Sequence, residues 1–313
     1  MKAIVINQYG GTEQLQLKEV AIPTIKSDEI LVRIHAAGVN PVDAKIRSGS
    51  MKMVAGRKLP RILGCDFAGV VEQASKNSSF RPGDKVYGML DYSGGGYAEF
   101  LAVKENQVCL IPDGISMEEA AASPVAAISA YQAMHKGNGI KEGSKVLING
   151  ASGGVGSFAV QIAKAMGAHV TGVCSTKNIE FVKKLGADSV IDYSTENFTR
   201  STNTYDMVFD AVAKNSFSKC RKILNERGTY VSTLPNNGLF LYQAFNFLRK
   251  KKAVFIMAKS SGKDLDIIAD YIKKGAVKVM IEKTFPLEQV AKAHDRIETE
   301  RVKGKLVLTN ITS

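Results

Sequence analysis

What the sequence lacks narrows it first. Its four cysteines, Cys65, Cys109, Cys174 and Cys220, are widely spaced and form no Cys-x-x-Cys pair. That excludes a disulfide framework and a zinc ribbon, and it suits a reducing compartment. No segment approaches the ~20 apolar residues of a membrane span. The opening "MKAIVINQYGG" has no charged region leading into an apolar stretch, so it reads as a strand rather than a leader. No internal repeat occurs, and no low-complexity segment is long enough for a linker. A soluble, cytoplasmic protein is the expectation.

What is present points to ordinary globular domains. A chain of 313 residues with 45% hydrophobic and 23% charged content can bury two cores. The formal net charge of +12 raises nucleic acid as a partner, but the basic residues are mostly scattered singly and no basic stripe interleaves with aromatics. The one dense cluster, Arg249–Lys252, precedes the apolar run "AVFIMA". It reads as a solvated loop, in preference to a polyanion or membrane contact. A basic surface also suits a phosphate-bearing ligand.

Two textures divide the chain. Up to about residue 112, short alternating runs such as "EILVRIHAAGV" and "DKVYGML" are punctuated by Gly, Pro, Asp and Asn. That predicts an antiparallel, barrel-like β region. Beyond it, "KVLING", "HVTGVC", "SVIDY", "YDMVFDAV", "TYVSTL" and "AVFIMA" alternate with helical stretches, "SFSKCRKILNERG" (216–228) among them. Such repeats predict a doubly wound parallel sheet. A helix (264–274), a strand, a second helix (287–298) and a terminal strand "GKLVLTN" follow.

The most informative stretch is "KVLINGASGGVGSFAVQIAK", residues 145–164. A buried strand enters a glycine-rich loop, and a helix follows. Ser152, Gly153, Gly154, Val155 and Gly156 then let backbone N–H groups approach a pyrophosphate at the helix N-terminus. Gly150–Gly154 also satisfies the nucleophile elbow of a serine hydrolase, with Ser152 as nucleophile and His294 as the only late histidine. No His-Gly-Gly-Gly oxyanion segment accompanies it. The next strand ends in Cys174-Ser175-Thr176-Lys177-Asn178, with no acid before Glu180. An uncharged hydroxyl and a lysine there favour a 2′-phosphate, and so NADPH over NADH.

At this point a resemblance carries weight. "GVNPVDAKIRSG" (38–49), "RILGCDFAGVV" (61–71), "GDKVYG" (83–88), "GGYAEF" (95–100), the glycine loop, "NIEFVKKLGADSVIDY" (178–193) and "GKLVL" (304–308) span nearly the whole chain. The sequence resembles the zinc-free quinone oxidoreductase branch of the medium-chain dehydrogenase/reductase superfamily. It is similar to the enone oxidoreductase group that includes the chloroplast-envelope quinone oxidoreductase homologue. The resemblance implies an α/β protein with two parts. A GroES-like β-barrel substrate domain (1–122 and 260–313) is interrupted by a Rossmann doubly wound parallel-sheet cofactor domain (123–259). It also implies that Ser175, Lys177 and Tyr193 surround the 2′-phosphate of NADPH, and that Asn40, Asp43 and Lys45 lie beside the nicotinamide as catalytic candidates. Ser129 would contact the nicotinamide side, and Lys305 the cofactor phosphates. A homodimer is a family expectation.

Zinc-dependent relatives would need a cysteine where Asn40 stands, a His-Glu pair where Cys65-Asp66 stands, and a later cysteine where "SPV" (123–125) stands. Three protein ligands for a catalytic zinc cannot be assembled from these, so no metal is expected. Without a Lewis acid, alcohol oxidation loses its stabiliser of an alkoxide. Hydride delivery to an electrophilic carbon needs less help. The expected activity is therefore NADPH-dependent reduction of quinones or of the carbon–carbon double bond of α,β-unsaturated ketones and aldehydes. Two alternatives stay open: an NADPH-binding protein with little turnover and a structural or RNA-binding role, and the Ser152 hydrolase.

Overall fold

The computed structural model describes residues 1–234, 237–309 and 311. Of the stretch 234–248, whose apolar residues bear on any substrate pocket, positions 235 and 236 lie outside the described residues. So does Asn310, at the end of "GKLVLTN". The chain forms two compact units: Met1–Ile128 with Lys259–Lys273 and Val279–Ser313, and Ser129–Ala258 with Lys274–Lys278.

The first unit begins with strands β1 (Lys2–Ile6), β2 (Gln16–Glu19), β3 (Glu29–Val39), β4 (Arg61–Ile62), β5 (Asp66–Ala74), β6 (Lys85–Met89), β7 (Phe100–Lys104) and β8 (Val108–Leu110). The second unit contributes β9 (Lys145–Asn149), β10 (His169–Cys174), β11 (Ser189–Asp192), β12 (Tyr205–Asp210), β13 (Leu224–Ser232) and β14 (Lys252–Phe255). The chain then returns to the first unit with β15 (Ile281–Pro286) and β16 (Lys305–Thr309).

In the first unit, β3 pairs antiparallel with β5, β7 and β16, and β5 with β6. The alternating texture of the sequence corresponds to this: β7 buries every second residue, with Leu101 and Val103 inward. Among the described residues, one junction is not antiparallel. β15 and β16 run parallel, joined through the helix Val290–Glu298. Ile4, Ile30, Val32, Ile34, Phe67, Val86, Leu306 and Leu308 share one core. Gly38 lets the helix Met117–Ala122 sit against β3, because a Cβ there would lie 2.4 Å from the Ala121 carbonyl oxygen and 2.7 Å from Asp66 Oδ2. This close approach seals Asp66 from water.

The second unit holds a six-stranded sheet in the order β11-β10-β9-β12-β13-β14. Every pairing in it is parallel. The order reverses on the two sides of β9, as in Rossmann folds, and ligands in such sheets bind beyond the strand ends at that reversal. β9 and β12 are buried almost throughout, with apolar centres, because parallel strands are covered on both faces. The helix expected over 216–228 is shorter than its composition suggests. It spans Phe217–Cys220, and the chain is extended from Leu224 onward. Leu224 already pairs with Tyr205 in the sheet, and Asn225 Nδ2 donates to Asp206 Oδ1 at 2.6 Å. Tertiary pairing thus overrides helical composition.

Candidate active site

In the second unit, β9 delivers the chain to a turn in which Gly150, at φ +82°, and Ala151 both donate to the Val173 carbonyl oxygen. The helix Gly154–Ala165 starts directly after Gly153. Gly156 is required by packing, since a Cβ there would lie 2.0 Å from the Gly150 carbonyl oxygen. Gly153 is different. Its φ of −80° suits any residue, and a Cβ would meet nothing nearer than 3.5 Å. A side chain there would instead fill the space in front of the helix N-terminus. The first-turn N–H groups, Gly154 to Gly156, have no intrahelical acceptor and face that space with the positive end of the helix dipole. These residues fit a pyrophosphate. Ser152 Oγ accepts a hydrogen bond from Asn178 Nδ2 at 3.0 Å, which ties the loop to the turn after β10.

That turn carries the residues expected around a 2′-phosphate. Ser175 is half-buried, Lys177 exposed and Tyr193 61% exposed. The backbone bond from Tyr193 N to the Cys174 carbonyl oxygen, 3.0 Å, holds the ends of β10 and β11 side by side. Asp192, in register with Cys174, was not a candidate from the sequence. The Thr176 hydroxyl and the Ser194 N–H donate to its carboxylate and hold it below the usual carboxylate range. Its oxygens are thereby turned toward Thr176 and Ser194.

The first unit contains a buried polar cluster around the helix Pro41–Arg47. Asp43 is fully buried. Its Oδ2 accepts from the Asn40 N–H at 2.8 Å and the Tyr97 hydroxyl at 3.2 Å, and its Oδ1 from the Cys65 N–H at 3.1 Å. Burial, then the neighbouring Asp66 carboxylate, raises Asp43 to about 6, against the pull of the Cys65 and Asn40 bonds and of Lys305. Asp66 Oδ2 accepts from Asn40 Nδ2 at 2.9 Å, and its Oδ1 from the Val125 N–H at 2.8 Å. Lys305 Nζ donates to Asn40 Oδ1 and stands 3.5 Å from Asp66 Oδ2. Burial pushes Asp66 up, and the Lys305 ammonium opposes it.

Residues 26–113 match the alcohol dehydrogenase GroES-like domain model, and residues 185–308 match the zinc-binding dehydrogenase model. The chain is 37% identical to the chloroplastic quinone-oxidoreductase homolog of Spinacia oleracea, over 98% of each chain. It is 34% identical to the chloroplastic NADPH-dependent alkenal/one oxidoreductase of Arabidopsis thaliana, over 98% of this chain and 79% of that one. The solved quinone oxidoreductase of Coxiella burnetii superposes with a TM-score of 0.90 at 30% identity, covering 99% of each chain. The chain belongs to the medium-chain dehydrogenase/reductase superfamily. It is an oxidoreductase by that membership. Both plant relatives carry "chloroplastic" in their names, whereas composition alone leads to a cytoplasmic expectation.

Many members of this superfamily hold zinc, and the donors here do not fit one. The Cys65 thiol is pushed well above its ordinary value by burial and then by Asp43 and Asp66. Both Asp66 oxygens are engaged, and the adjacent cation is already an ammonium. Among the described residues no three His, Cys, Asp or Glu side chains gather as a metal site.

The candidates from the sequence sort unevenly. Asn40 and Asp43 come together, and Lys305 joins them, its side chain only 4% exposed and engaged by Asn40 and Asp66 instead of presented to a phosphate. Asp43 and Lys45 form no ion pair. Two positions apart on a helix, they diverge by about 200°. Lys45 is half-buried, and burial lowers its affinity for its proton while Glu300 partly restores it. Ser129 is 9% exposed within the helix Pro124–Met134. The hydrolase triad does not form: His294 Nδ1 faces the Arg47 guanidinium at 3.1 Å, where a triad needs a carboxylate. The basic cluster spends its charge locally. Lys250 pairs with Glu226, Lys251 caps the Arg221 and Leu224 carbonyls, and Lys252 bonds the Asn246 carbonyl. Sequence reasoning missed Asn178, Asp192 and Tyr97, and reached Asp66 only as a position where a zinc-dependent relative would need a ligand.

Proposed function

We propose that the protein is a zinc-independent, NADPH-dependent reductase of quinones or of the double bond of α,β-unsaturated ketones and aldehydes. The observation that carries this reading is the Lys305 ammonium beside Asp66. A cation of the chain's own stands where a metal-dependent relative would need free ligands, which supports a reaction that needs no Lewis acid to stabilise an alkoxide. Reduction of an already electrophilic carbon meets that condition.

We assign the cofactor role to 123–259 and the substrate role to 1–122 with 260–313. The N–H groups of Gly154–Gly156 and the Ser152 loop hold the pyrophosphate, and Ser175, Lys177 and Tyr193 receive the 2′-phosphate. Ser129 contacts the nicotinamide side. Bound NADPH supplies the hydride. Asn40 offers a hydrogen bond to the carbonyl oxygen as negative charge develops there. Lys45, whose burial weakens its hold on its proton, gives that proton to the enolate, and Asp43 fixes the start of the helix that carries both. The similarity to an NADPH-dependent alkenal/one oxidoreductase and to quinone oxidoreductases supports the choice of acceptor.

A steady-state screen of NADPH against NADH over quinones, short enones, longer lipid-derived enones and simple alcohols tests it. The reading predicts NADPH oxidation by quinones or enones, unchanged by a chelator. Activity confined to alcohols, or lost to chelator and restored by zinc, rejects it.

A further inference from the structure

We propose that Lys305 is a positioning residue: with Asp66 it locks the Asn40 amide in one orientation, so that Asn40 offers a reacting carbonyl oxygen an N–H and never a lone pair. An ammonium only donates and a carboxylate only accepts, so the two ends of the amide are not interchangeable. Lys305 Nζ donates to Asn40 Oδ1, and Asn40 Nδ2 donates to Asp66 Oδ2 at 2.9 Å. The same carboxylate oxygen lies 3.5 Å from Lys305 Nζ. The three groups close a ring. Turning the amide over would set its oxygen against a carboxylate and its NH2 against an ammonium, at the loss of two charge-assisted bonds.

Burial makes the lock effective. Asn40, Asp66 and Lys305 are 2%, 0% and 3% exposed, so solvent does not take over either bond. Each corner is also held by the backbone. The Asn40 N–H donates to Asp43, the Val125 N–H donates to Asp66 Oδ1, and Lys305 sits in β16 with its own N–H on the Met280 carbonyl oxygen. One Asn40 Nδ2 hydrogen is left without a partner among the described residues. It is the donor the amide has to give. In hydride addition to an enone, the new C–H bond forms at the β-carbon and the π electrons move onto the carbonyl oxygen, which becomes an enolate until it is protonated. A donor held in place beforehand stabilises that charge without reorganising. The catalytic part rests on the reductase reading above; the orientation of the amide does not.

The test uses the pair Lys305→Met with Asp66→Asn, which removes both buried charges together and so spares the fold an orphaned ion. With its oxygen kept on the Val125 N–H, the amide introduced by Asp66→Asn would turn its NH2 toward Asn40 and reverse the Asn40 amide. Lys305→Arg keeps the cation. In isotope-labelled full-length protein, the Asn40 side-chain amide signals, assigned by their loss in Asn40→Ala, are expected to move in the double variant and to stay in Lys305→Arg. With methyl vinyl ketone, kcat of the double variant is expected to fall at least about tenfold with KM for NADPH unchanged. Added to Asn40→Ala, the same pair should cost nothing further. Unmoved amide signals, an unchanged kcat, or additive losses would overturn the proposal. If the native protein reduces no acceptor, the reductase reading falls, and the amide signals alone decide the positioning role: movement upholds it and constancy rejects it.

Discussion

Asn178 donates to Ser152 Oγ at 3.0 Å, joining the turn after β10 to the glycine loop after β9. That side-chain bond, within the second unit, ties the loop proposed to hold the pyrophosphate to the turn proposed to receive the 2′-phosphate. Asn178→Ala and Ser152→Ala are each expected to raise KM for NADPH about three- to tenfold, the range of one ordinary hydrogen bond, and to leave kcat nearly unchanged. The double variant should cost no more than either single one. Loss of esterase activity in Ser152→Ala would instead revive a hydrolase.

Gly153 and Gly156 separate a ligand requirement from a packing requirement. Gly153→Ala meets no atom within 3.5 Å, so its melting temperature should match that of the native protein while NADPH binding, measured by calorimetry, weakens at least about tenfold. Gly156→Ala places a Cβ 2.0 Å from the Gly150 carbonyl oxygen and should lose stability as well. Equal behaviour of the two variants would contradict the assignment of the space before the helix to a phosphate.

Lys177 is exposed in the middle of the short helical turn Thr176–Asn178. Lys177→Ala is expected to raise KM for NADPH about tenfold, as removal of one charge-assisted phosphate contact would, and to leave KM for NADH unchanged. The ratio of the two KM values is the readout. An equal change for both cofactors would remove Lys177 from the 2′-phosphate site.

The parts of this molecule readable from sequence are those encoded locally. The strand–glycine loop–helix over 145–164 and the apolar strands of the second unit follow from composition and short-range spacing. The helix expected over 216–228 failed because Leu224 pairs with Tyr205 across the sheet, a contact no local pattern announces. The buried cluster was only half legible. Asn40 and Asp43 fall within one motif, but the Lys305 ammonium that meets Asn40 comes from 265 residues away. A lone lysine in a terminal strand looks the same whether it faces a phosphate or a buried carboxylate.

His294 gives a pH prediction. Burial, and then the Arg47 guanidinium against Nδ1, lowers its folded-state pKa from the ordinary 6.5 to about 3. Tyr97 packs edge-on at 5.9 Å and brings no carboxylate to offset this. The unfolded chain therefore takes up a proton near pH 6.5 that the folded protein refuses until about pH 3. Stability is lost as pH falls through that window, by up to roughly 1.4 kcal/mol per pH unit from this group. His294→Gln, which keeps an oxygen for Arg47, should flatten the decline in urea-unfolding free energy between pH 6.5 and 4, the upper part of that window. An identical slope in the variant would show that His294 is not its source.

The most direct test of the central claim follows the hydride itself. Chelator-treated protein is mixed with NADPH carrying deuterium at its transferable nicotinamide position and with methyl vinyl ketone, and the product is analysed by mass spectrometry and proton resonance. The expected product is the saturated ketone with deuterium on its β-carbon, formed in step with NADPH loss, and in a parallel sample with a quinone in place of the enone, hydroquinone formed in the same proportion. Consumption of NADPH only after zinc is added, or transfer of label to the carbonyl carbon to give an alcohol, would contradict it.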